Sequence, residues 1–259
     1  MPDRNKVLYI EPIYDDFAIM YAIHTEQIEQ AARKLGYDVI SVKDADAIPR
    51  RIYEIIARED PYWIFSVGHG CENITTVYKR KDLFWVGSCG DHIHHDKNIY
   101  MLKGRAVYLL SCSCGVNLVP EIAIAGAEMS AGYRDDFFWV VDPEKPPEKD
   151  PYAIGFFDAA NTFMISLLAG KTPTDAAMDA KARFNYWIDY WKKWLEEHPD
   201  APPKDRARAL LAIRLLEHDR DILVTYGHVK ALPQPSLLIA AIPLGLGLVF
   251  LSKEIFTKK

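Results

Sequence analysis

The sequence predicts an α/β fold, a three-layer α/β/α arrangement around a mostly parallel sheet, and two observations lead to it. In the first half, short apolar runs alternate with helical patterns in strand–helix–strand units of roughly 25–30 residues, a repetition that requires right-handed crossovers between parallel strands. In the second half, apolar residues recur at helical spacing. With 259 residues, 49% of them hydrophobic and 26% charged, the chain suits one large globular domain.

The apolar runs of the first half predict strands and helices in alternation. They are a strand at 6–10, a helix at 22–35, a strand at 37–42, a helix at 47–58 and a strand at 62–67. Gly36 ends the first of these helices. The next two apolar segments, 74–78 and 83–86, flank a polar stretch, which is typical of a β-hairpin.

Beyond the hairpin the pattern predicts two more strands and a helix. A buried strand is expected at 104–110, a helix at 118–127 with Asn117 as its cap, and a strand at 137–141. Residues 142–151 contain four prolines and six charged residues, which predicts an exposed loop.

The second half is predicted to be helical until a closing strand. Apolar residues at helical spacing predict a helix from Ala153 that Gly170 ends. Thr172, Pro173 and Asp175 provide a cap, a first-turn proline and an acid for the next helix. A further helix at 204–218 and a strand at 222–226 complete a domain of residues 1–230, which leaves 231–259 as a separate apolar tail.

The net charge and the number of cysteines indicate which binding partners and which cellular compartment the protein is expected to have. The formal net charge is −5, which argues against a nucleic-acid binder that depends on phosphate contacts. Four cysteines are too few for a disulfide scaffold at this length. Because the polar start of the chain does not match a secretory signal, a reducing, cytoplasmic environment is expected.

The tail contains an unbroken apolar run at residues 237–251. As a helix this run would be roughly 22 Å long, shorter than the ~30 Å hydrocarbon core, but neighbouring residues from Leu232 onward extend it. The run is apolar on every side, so no face is left for water. A membrane anchor on the cytoplasmic side is therefore expected, with a buried C-terminal element as the alternative.

Two predicted strands end in residues that can perform chemistry. Gly68, His69 and Gly70 follow one strand, and Ser111 and Cys112 follow another. Because parallel strands present their carboxyl ends along one edge of a sheet, the imidazole and the thiol are expected to face the same crevice. A helix after Cys112 is expected to direct its positive end toward the thiol and favour the thiolate. This combination is typical of a nucleophilic Cys–His site.

The same segments resemble a known family. An apolar strand ending in His69-Gly70, followed some forty residues later by a strand ending in Ser111-Cys112 with Gly115 behind it, resembles the caspase-like cysteine peptidases of clan CD, nearest in motif pattern to the CHAT, gingipain and legumain types. The resemblance covers residues 6–230. Cys71 and Cys114 are not part of the common pattern, which leaves redox control or a repurposed site open.

The resemblance implies a function and a role for each matching residue. Cys112 would be the nucleophile, His69 the group that transfers protons, and the backbone N–H groups of Gly70 and Cys112 the oxyanion hole. The implied reaction is peptide-bond hydrolysis through a thioester, with a protein or peptide as substrate and without a metal or organic cofactor. Asp135 and Asp136 lie where related enzymes build their specificity pocket, and they would favour lysine or arginine in the substrate by charge pairing.

Two other functions stay open at this stage. A catalytically silent caspase-like module could act as a membrane-bound interaction or sensor domain. Alternatively, the segment that contains Cys89, His92, His94 and His95 offers thiolate and imidazole ligands for zinc, although its spacing is not that of a common zinc module and such histidines are more often exposed to solvent.

Overall fold

The structure, a computed structural model, describes residues 1–227, except for the side chains of residues 16–23. The apolar run at 237–251, and with it the expected membrane anchor, lies outside the described residues. Among the helices within residues 1–227, none is long and apolar enough to cross a membrane.

The secondary structure alternates as the sequence predicts in the first half and becomes helical in the second. The strands are β1 (Asp3–Glu11), β2 (Asp38–Lys43), β3 (Pro61–Val67), β4 (Ile74–Val77), β5 (Lys81–Trp85), β6 (Ala106–Leu110), β7 (Met129–Tyr133) and β8 (Leu223–Gly227). The helices are α1 (Asp16–Lys34), α2 (Pro49–Glu59), α3 (Leu118–Ile124), α4 (Ala153–Leu168), α5 (Pro173–Glu197) and α6 (Pro203–Ile222).

The central sheet is mixed but mostly parallel. Its six strands run in the order β2-β1-β3-β6-β7-β8, and all neighbours are parallel except β7 and β8. β4 and β5 form a separate antiparallel hairpin, as the sequence predicts. The mixed α/β class with a mostly parallel sheet is therefore confirmed.

Side-chain alternation along the strands builds a core on each face of the sheet. On β1, Val7 and Tyr9 belong to one buried cluster, which also contains side chains of α1, α4, α5 and α6. Leu8 and Ile10 belong to the other, together with residues of α2, α3 and the hairpin. Because successive side chains of a strand point to opposite faces, helices cover both sides of the sheet, an arrangement compatible with three α/β/α layers.

The strand predicted at 137–141 is wrong, and the strand that takes its place is β7. Residues 137–141 form no strand; Phe137 and Val140 are buried, whereas Phe138 and Val141 are exposed. β7 is buried throughout but includes serine, alanine and glycine, which carry little strand signal. A Cβ on its Gly132 would lie 2.7 Å from Sγ of Cys114, so close packing explains the small residues.

The loop predicted at 142–151 is less exposed than expected. It contains a short 3₁₀ helix, Pro147–Lys149, and the side chains of Asp142 and Asp150 are buried. Asp150 accepts hydrogen bonds from the backbone N–H groups of Asp142, Tyr152 and Ala153, and Arg208 pairs with Asp142. These bonds compensate the carboxylates for the loss of water.

Candidate active site

Four adjacent strands are each followed by a polar residue at the same edge of the sheet. β1, β3, β6 and β7 are neighbours in that order, and all four run in the same direction. Asp15 follows β1, His69 follows β3, Cys112 follows β6 and Asp136 follows β7. The strand order therefore sets these four residues side by side along the carboxyl edge.

The ends of β3 and β6 are in direct backbone contact. The N–H of Gly68 donates to the carbonyl oxygen of Leu110 at 3.2 Å. A Cβ on Gly70 would lie 2.9 Å from Cβ of Ser111 and 3.1 Å from the carbonyl oxygen of Cys112. Only glycine fits this approach without displacing backbone, which explains the glycine after His69.

His69 and Cys112 line one cavity of about 350 Å³. The residues that line it are His69, Arg80, Cys112, Asp136, Phe137, Phe138, Trp139 and Val141. The predicted pair thus shares a crevice. Asp136 also faces it, whereas Asp135 is not among the lining residues.

Asp15 holds the imidazole of His69. Nε2 of His69 lies 2.9 Å from Oδ2 of Asp15, and both side chains are somewhat less than one-third exposed. A carboxylate only accepts hydrogen bonds, so in the neutral ring Nε2 carries the proton and Nδ1 is the basic nitrogen. Tyr14 packs edge-on against the same ring, with 6.1 Å between centroids. Asp15 was not predicted from the sequence, because it lies five residues beyond the strand predicted at 6–10.

The surroundings of Cys112 favour a neutral thiol. Burial raises its pKa to about 11, and the carboxylates of Asp136 and Asp219 act in the same direction, while a backbone hydrogen bond from Phe137 opposes them. The thiolate expected from the sequence is thus not the resting form, because the effect of burial outweighs the hydrogen bonds that stabilise the thiolate. A thiol with this pKa needs a base to take its proton as it attacks, and His69 lines the same cavity.

The turn after Cys112 separates the two neighbouring cysteines. Ser113 adopts a φ of 55°, in the left-handed region that non-glycine residues rarely occupy. Its Oγ donates to Oδ1 of Asp136 at 2.9 Å. Cys114 is fully buried in the cluster that contains α3, and its thiol donates to the carbonyl oxygen of Ser111 at 3.2 Å. The turn leaves Cys112 at the cavity and places Cys114 in the core.

Two backbone N–H groups at the strand ends are available to a ligand. Among the described residues, neither the N–H of Gly70 nor that of Cys112 donates a hydrogen bond to another residue, and the N–H of Cys112 points toward its own thiol. The bridge between Gly70 and Thr75 instead uses the N–H groups of Cys71 and Thr76. Donors of this kind, fixed beside a nucleophile, are what an oxyanion hole requires.

The β4–β5 hairpin fastens the two strand ends together. Thr76 donates to the carbonyl oxygen of His69 from both its N–H, at 2.9 Å, and its hydroxyl, at 3.1 Å. The buried hydroxyls of Thr75 and Ser111 are 2.9 Å apart. Thr75 bridges to Gly70, and Ser111 precedes Cys112, so this hydrogen bond links the His69 side of the site to the Cys112 side.

The alternative zinc site at Cys89, His92, His94 and His95 is not formed as the sequence suggested. Cys89 forms a disulfide with Cys71, which removes its thiolate. His92 and His94 each lie 2.7 Å from a carboxylate oxygen of Asp82, and His94 also stacks on Trp85 at 4.1 Å. No group of three or more His, Cys, Asp or Glu side chains in the described part of the chain is arranged to hold a metal ion. His94 is therefore held by a hydrogen bond to Asp82 and by its stacking on Trp85, and His92 lies beside the same carboxylate.

This geometry predicts different effects for two adjacent histidines. His94→Ala removes the stacking on Trp85 and the bond to Asp82, so we expect a loss of about 1–2 kcal/mol in the free energy of unfolding. His95→Ala is the matched control, because His95 is exposed and should change stability by less than about 0.5 kcal/mol. Urea unfolding of both variants measures the difference. Equal effects, or stoichiometric zinc lost from the His94 variant, would contradict the assignment.

No protein-family model matches this chain, and no curated protein matches it in sequence. The fold and the edge of the sheet define an α/β protein with a Cys–His pair in a partly apolar cavity. Its function has to be argued from that site.

Proposed function

We propose that the protein is a cysteine endopeptidase with Cys112 as nucleophile and His69 as general base and acid. The observation that carries the proposal is the shared cavity: His69 and Cys112, 43 positions apart in the sequence, line the same space at the carboxyl edge of the sheet. Two further points support it: the N–H groups of Gly70 and Cys112 have no acceptor on another described residue, and the two strand ends resemble those of caspase-like peptidases.

The proposed reaction uses only groups of this chain, the substrate and water. His69 takes the proton of the Cys112 thiol as sulfur attacks the substrate carbonyl carbon, and the N–H groups of Gly70 and Cys112 hold the resulting oxyanion. His69 then returns the proton to the amine nitrogen as the C–N bond breaks, which leaves a thioester on Cys112. Water, deprotonated by His69, hydrolyses the thioester and regenerates the thiol.

In this proposal, the part of the cavity that receives the substrate residue before the cleaved bond favours a basic side chain. Asp136 follows β7, the strand next to that of Cys112, and its carboxylate is exposed at the cavity. Phe138 and Val141 provide partly exposed apolar surface along which the methylene stem of a lysine or arginine would pack. The proposal therefore assigns the charge preference to Asp136 alone.

A peptide-library cleavage assay tests activity and preference together. Purified protein is incubated with a mixed peptide library, and the new termini are identified by mass spectrometry, with Cys112→Ala as the control. Cleavage after lysine or arginine that disappears in Cys112→Ala is expected. Absence of cleavage by the unmodified protein, or equal cleavage by the variant, would overturn the proposal.

A catalytically silent interaction module is the second candidate, and one observation favours it. The raised pKa of Cys112, to about 11, leaves its thiol mostly protonated at neutral pH, as for a structural cysteine. A peptide aldehyde or other thiol-directed electrophile with a basic side chain separates the two functions. It labels Cys112 stoichiometrically in a peptidase and slowly in a silent module.

We also propose that residues 237–251 attach the domain to the cytoplasmic face of a membrane. The full-length chain is then expected to sediment with membranes and to resist carbonate extraction, whereas a chain that ends at Gln234 stays in the supernatant. Replacing Leu244 and Leu246 by lysine keeps the length but adds about 2.5–3.5 kcal/mol of insertion cost per residue, so this control should also be released. A full-length protein that is soluble and monomeric without detergent would contradict the attachment.

A further inference from the structure

Arg80 lines the cavity, and its guanidinium has no ion-pair partner among the described side chains. It belongs to the short 3₁₀ turn Tyr78–Arg80 at the tip of the β4–β5 hairpin, and it is exposed. Other arginines nearby in the sequence are paired, such as Arg50 with Glu54 and Arg105 with Asp60. Among the described side chains, which leave out those of residues 16–23, the guanidinium of Arg80 has neither an ion-pair nor a hydrogen-bond partner.

The backbone holds Arg80 in an unusual conformation. Its φ is 54° and that of Lys79 is 55°, both in the left-handed region that residues other than glycine rarely adopt. The hairpin that imposes this turn is bonded to the carbonyl oxygen of His69 through Thr76. Arg80 is thus carried by an element anchored to the active site.

The residues that line the cavity include one arginine, Arg80, and one carboxylate, Asp136. Asp136 follows β7, the strand next to that of Cys112. On the other side, Tyr14 contacts the ring of His69 edge-on at 6.1 Å and the ring of Tyr78 at 5.8 Å, and Tyr78 begins the turn that ends at Arg80. Arg80 therefore lies on the side of the cavity that is nearer to His69.

The proposed reaction determines which part of the substrate lies near Arg80 and which part lies near Asp136. In the proposed function, on which this inference rests, His69 protonates the leaving amine, so the peptide beyond the cleaved bond extends toward His69. The acyl part stays bonded to Cys112. We propose that Arg80 forms an anion subsite that binds a carboxylate on the leaving-group side of the substrate, so that the preferred substrate carries a basic residue before the cleaved bond and an acidic group just after it.

Matched peptides test this subsite. Each carries arginine before the cleaved bond and has an amidated end, and the two positions after the bond are both glutamate, both glutamine or both lysine. We expect kcat/KM to be about five- to tenfold higher for glutamate than for glutamine, and lowest for lysine. A glutamine peptide with a free C-terminal carboxylate two residues after the bond shows whether a terminal carboxylate can replace the side chain.

Two charge-reversal variants distinguish the effect of Arg80 from the effect of a neighbouring surface charge. Arg80→Glu should invert the order, so that the lysine peptide becomes the better substrate. Lys79→Glu is the matched control. Lys79 has a similar positive φ, and its ammonium lies over the ring of Tyr78, but it is not among the residues that line the cavity. For the Lys79→Glu variant, the ratio of kcat/KM for the glutamate peptide to that for the lysine peptide should stay within about twofold of the value for the unmodified protein, because salt screens a surface charge outside the cavity. An unchanged ratio in Arg80→Glu would overturn the subsite.

A binding measurement keeps the subsite testable if the proposed function fails. Cys112→Ala cannot form the thioester, so fluorescence anisotropy of labelled peptides reports affinity alone. The glutamate peptide should bind more tightly than the lysine peptide, and Arg80→Glu in this background should reverse the order. Reversal of the affinities without cleavage by the unmodified protein would refute the peptidase and retain the anion subsite. Affinities that do not depend on Arg80 would refute the subsite.

Discussion

Cys112→Ala should lower the rate of peptide cleavage by at least about 10⁴-fold and leave the fold intact. Without the sulfur no thioester forms, and the groups that remain can only orient the substrate and polarise its carbonyl. Because Cys112 is partly exposed at the cavity, the loss in the free energy of unfolding should stay below about 1 kcal/mol. Initial rates on the best library peptide and a urea unfolding curve provide the two readouts.

Cys114→Ala should show the opposite pattern. The side chain of Cys114 is fully buried and in contact with the core, so its truncation should cost about 1–2 kcal/mol in the free energy of unfolding. Turnover should remain measurable at temperatures where the variant is folded, since its thiol faces the carbonyl oxygen of Ser111 and not the cavity. Loss of cleavage in Cys114→Ala with full activity in Cys112→Ala would show that the active site is misassigned.

Alkylation adds a check that needs no substrate. Burial raises the pKa of Cys112 to about 11 and that of Cys114 to about 12. Only a thiolate reacts, so labelling of Cys112 by iodoacetamide should rise about tenfold per pH unit between pH 7 and 10. Peptide mapping should find the label on Cys112, because Cys114 has no exposed surface. A flat pH profile would contradict the raised pKa.

The common edge of His69 and Cys112 could be predicted from the sequence, because it requires only two neighbouring parallel strands whose ends are known. Side-by-side placement of those ends is a property of any parallel sheet in which the strands are neighbours. Asp15 could not be placed in the same way. Its contact with His69 depends on β1 lying beside β3, and a strand order of β2-β1-β3 is set by tertiary packing, not by local pattern.

The incorrect or missing predictions have a common physical cause: a local sequence pattern does not specify which segment packs against which in the folded chain. Residues 137–141 read as a strand, but Phe138 and Val141 face the cavity and residues 137–141 pair with no strand in the described chain. β7 was overlooked because it contains Gly132, which close packing against Cys114 requires and which carries little strand signal. Arg80 was recognised only as part of a polar turn, since the hairpin reaches the cavity through the tertiary contacts of Thr75 and Thr76.

Asp15→Asn should lower kcat by about 10²-fold or more and change KM by less than about twofold. The carboxylate of Asp15 fixes the proton on Nε2 of His69, so that Nδ1 is the basic nitrogen. An asparagine of the same size can donate as well as accept, and it allows the other tautomer. The substrate-binding surface is unchanged, so the effect should fall on the chemical step.

The matched control and a direct measurement of the tautomer decide whether Asp15 is a positioning residue. Asp60→Asn makes the same substitution at the opposite edge of the sheet, where Asp60 pairs with Arg105, and asparagine tolerates its φ of 50°. It should reduce stability without changing kcat. Nitrogen-15 NMR of the histidines should show His69 protonated at Nε2 in the unmodified protein and as a tautomer mixture in Asp15→Asn, while Asp15→Glu recovers part of the lost rate. An Asp15→Asn variant with unchanged kcat would show that the aspartate only packs against the ring, because a group that holds the reactive tautomer cannot be neutralised without slowing proton transfer.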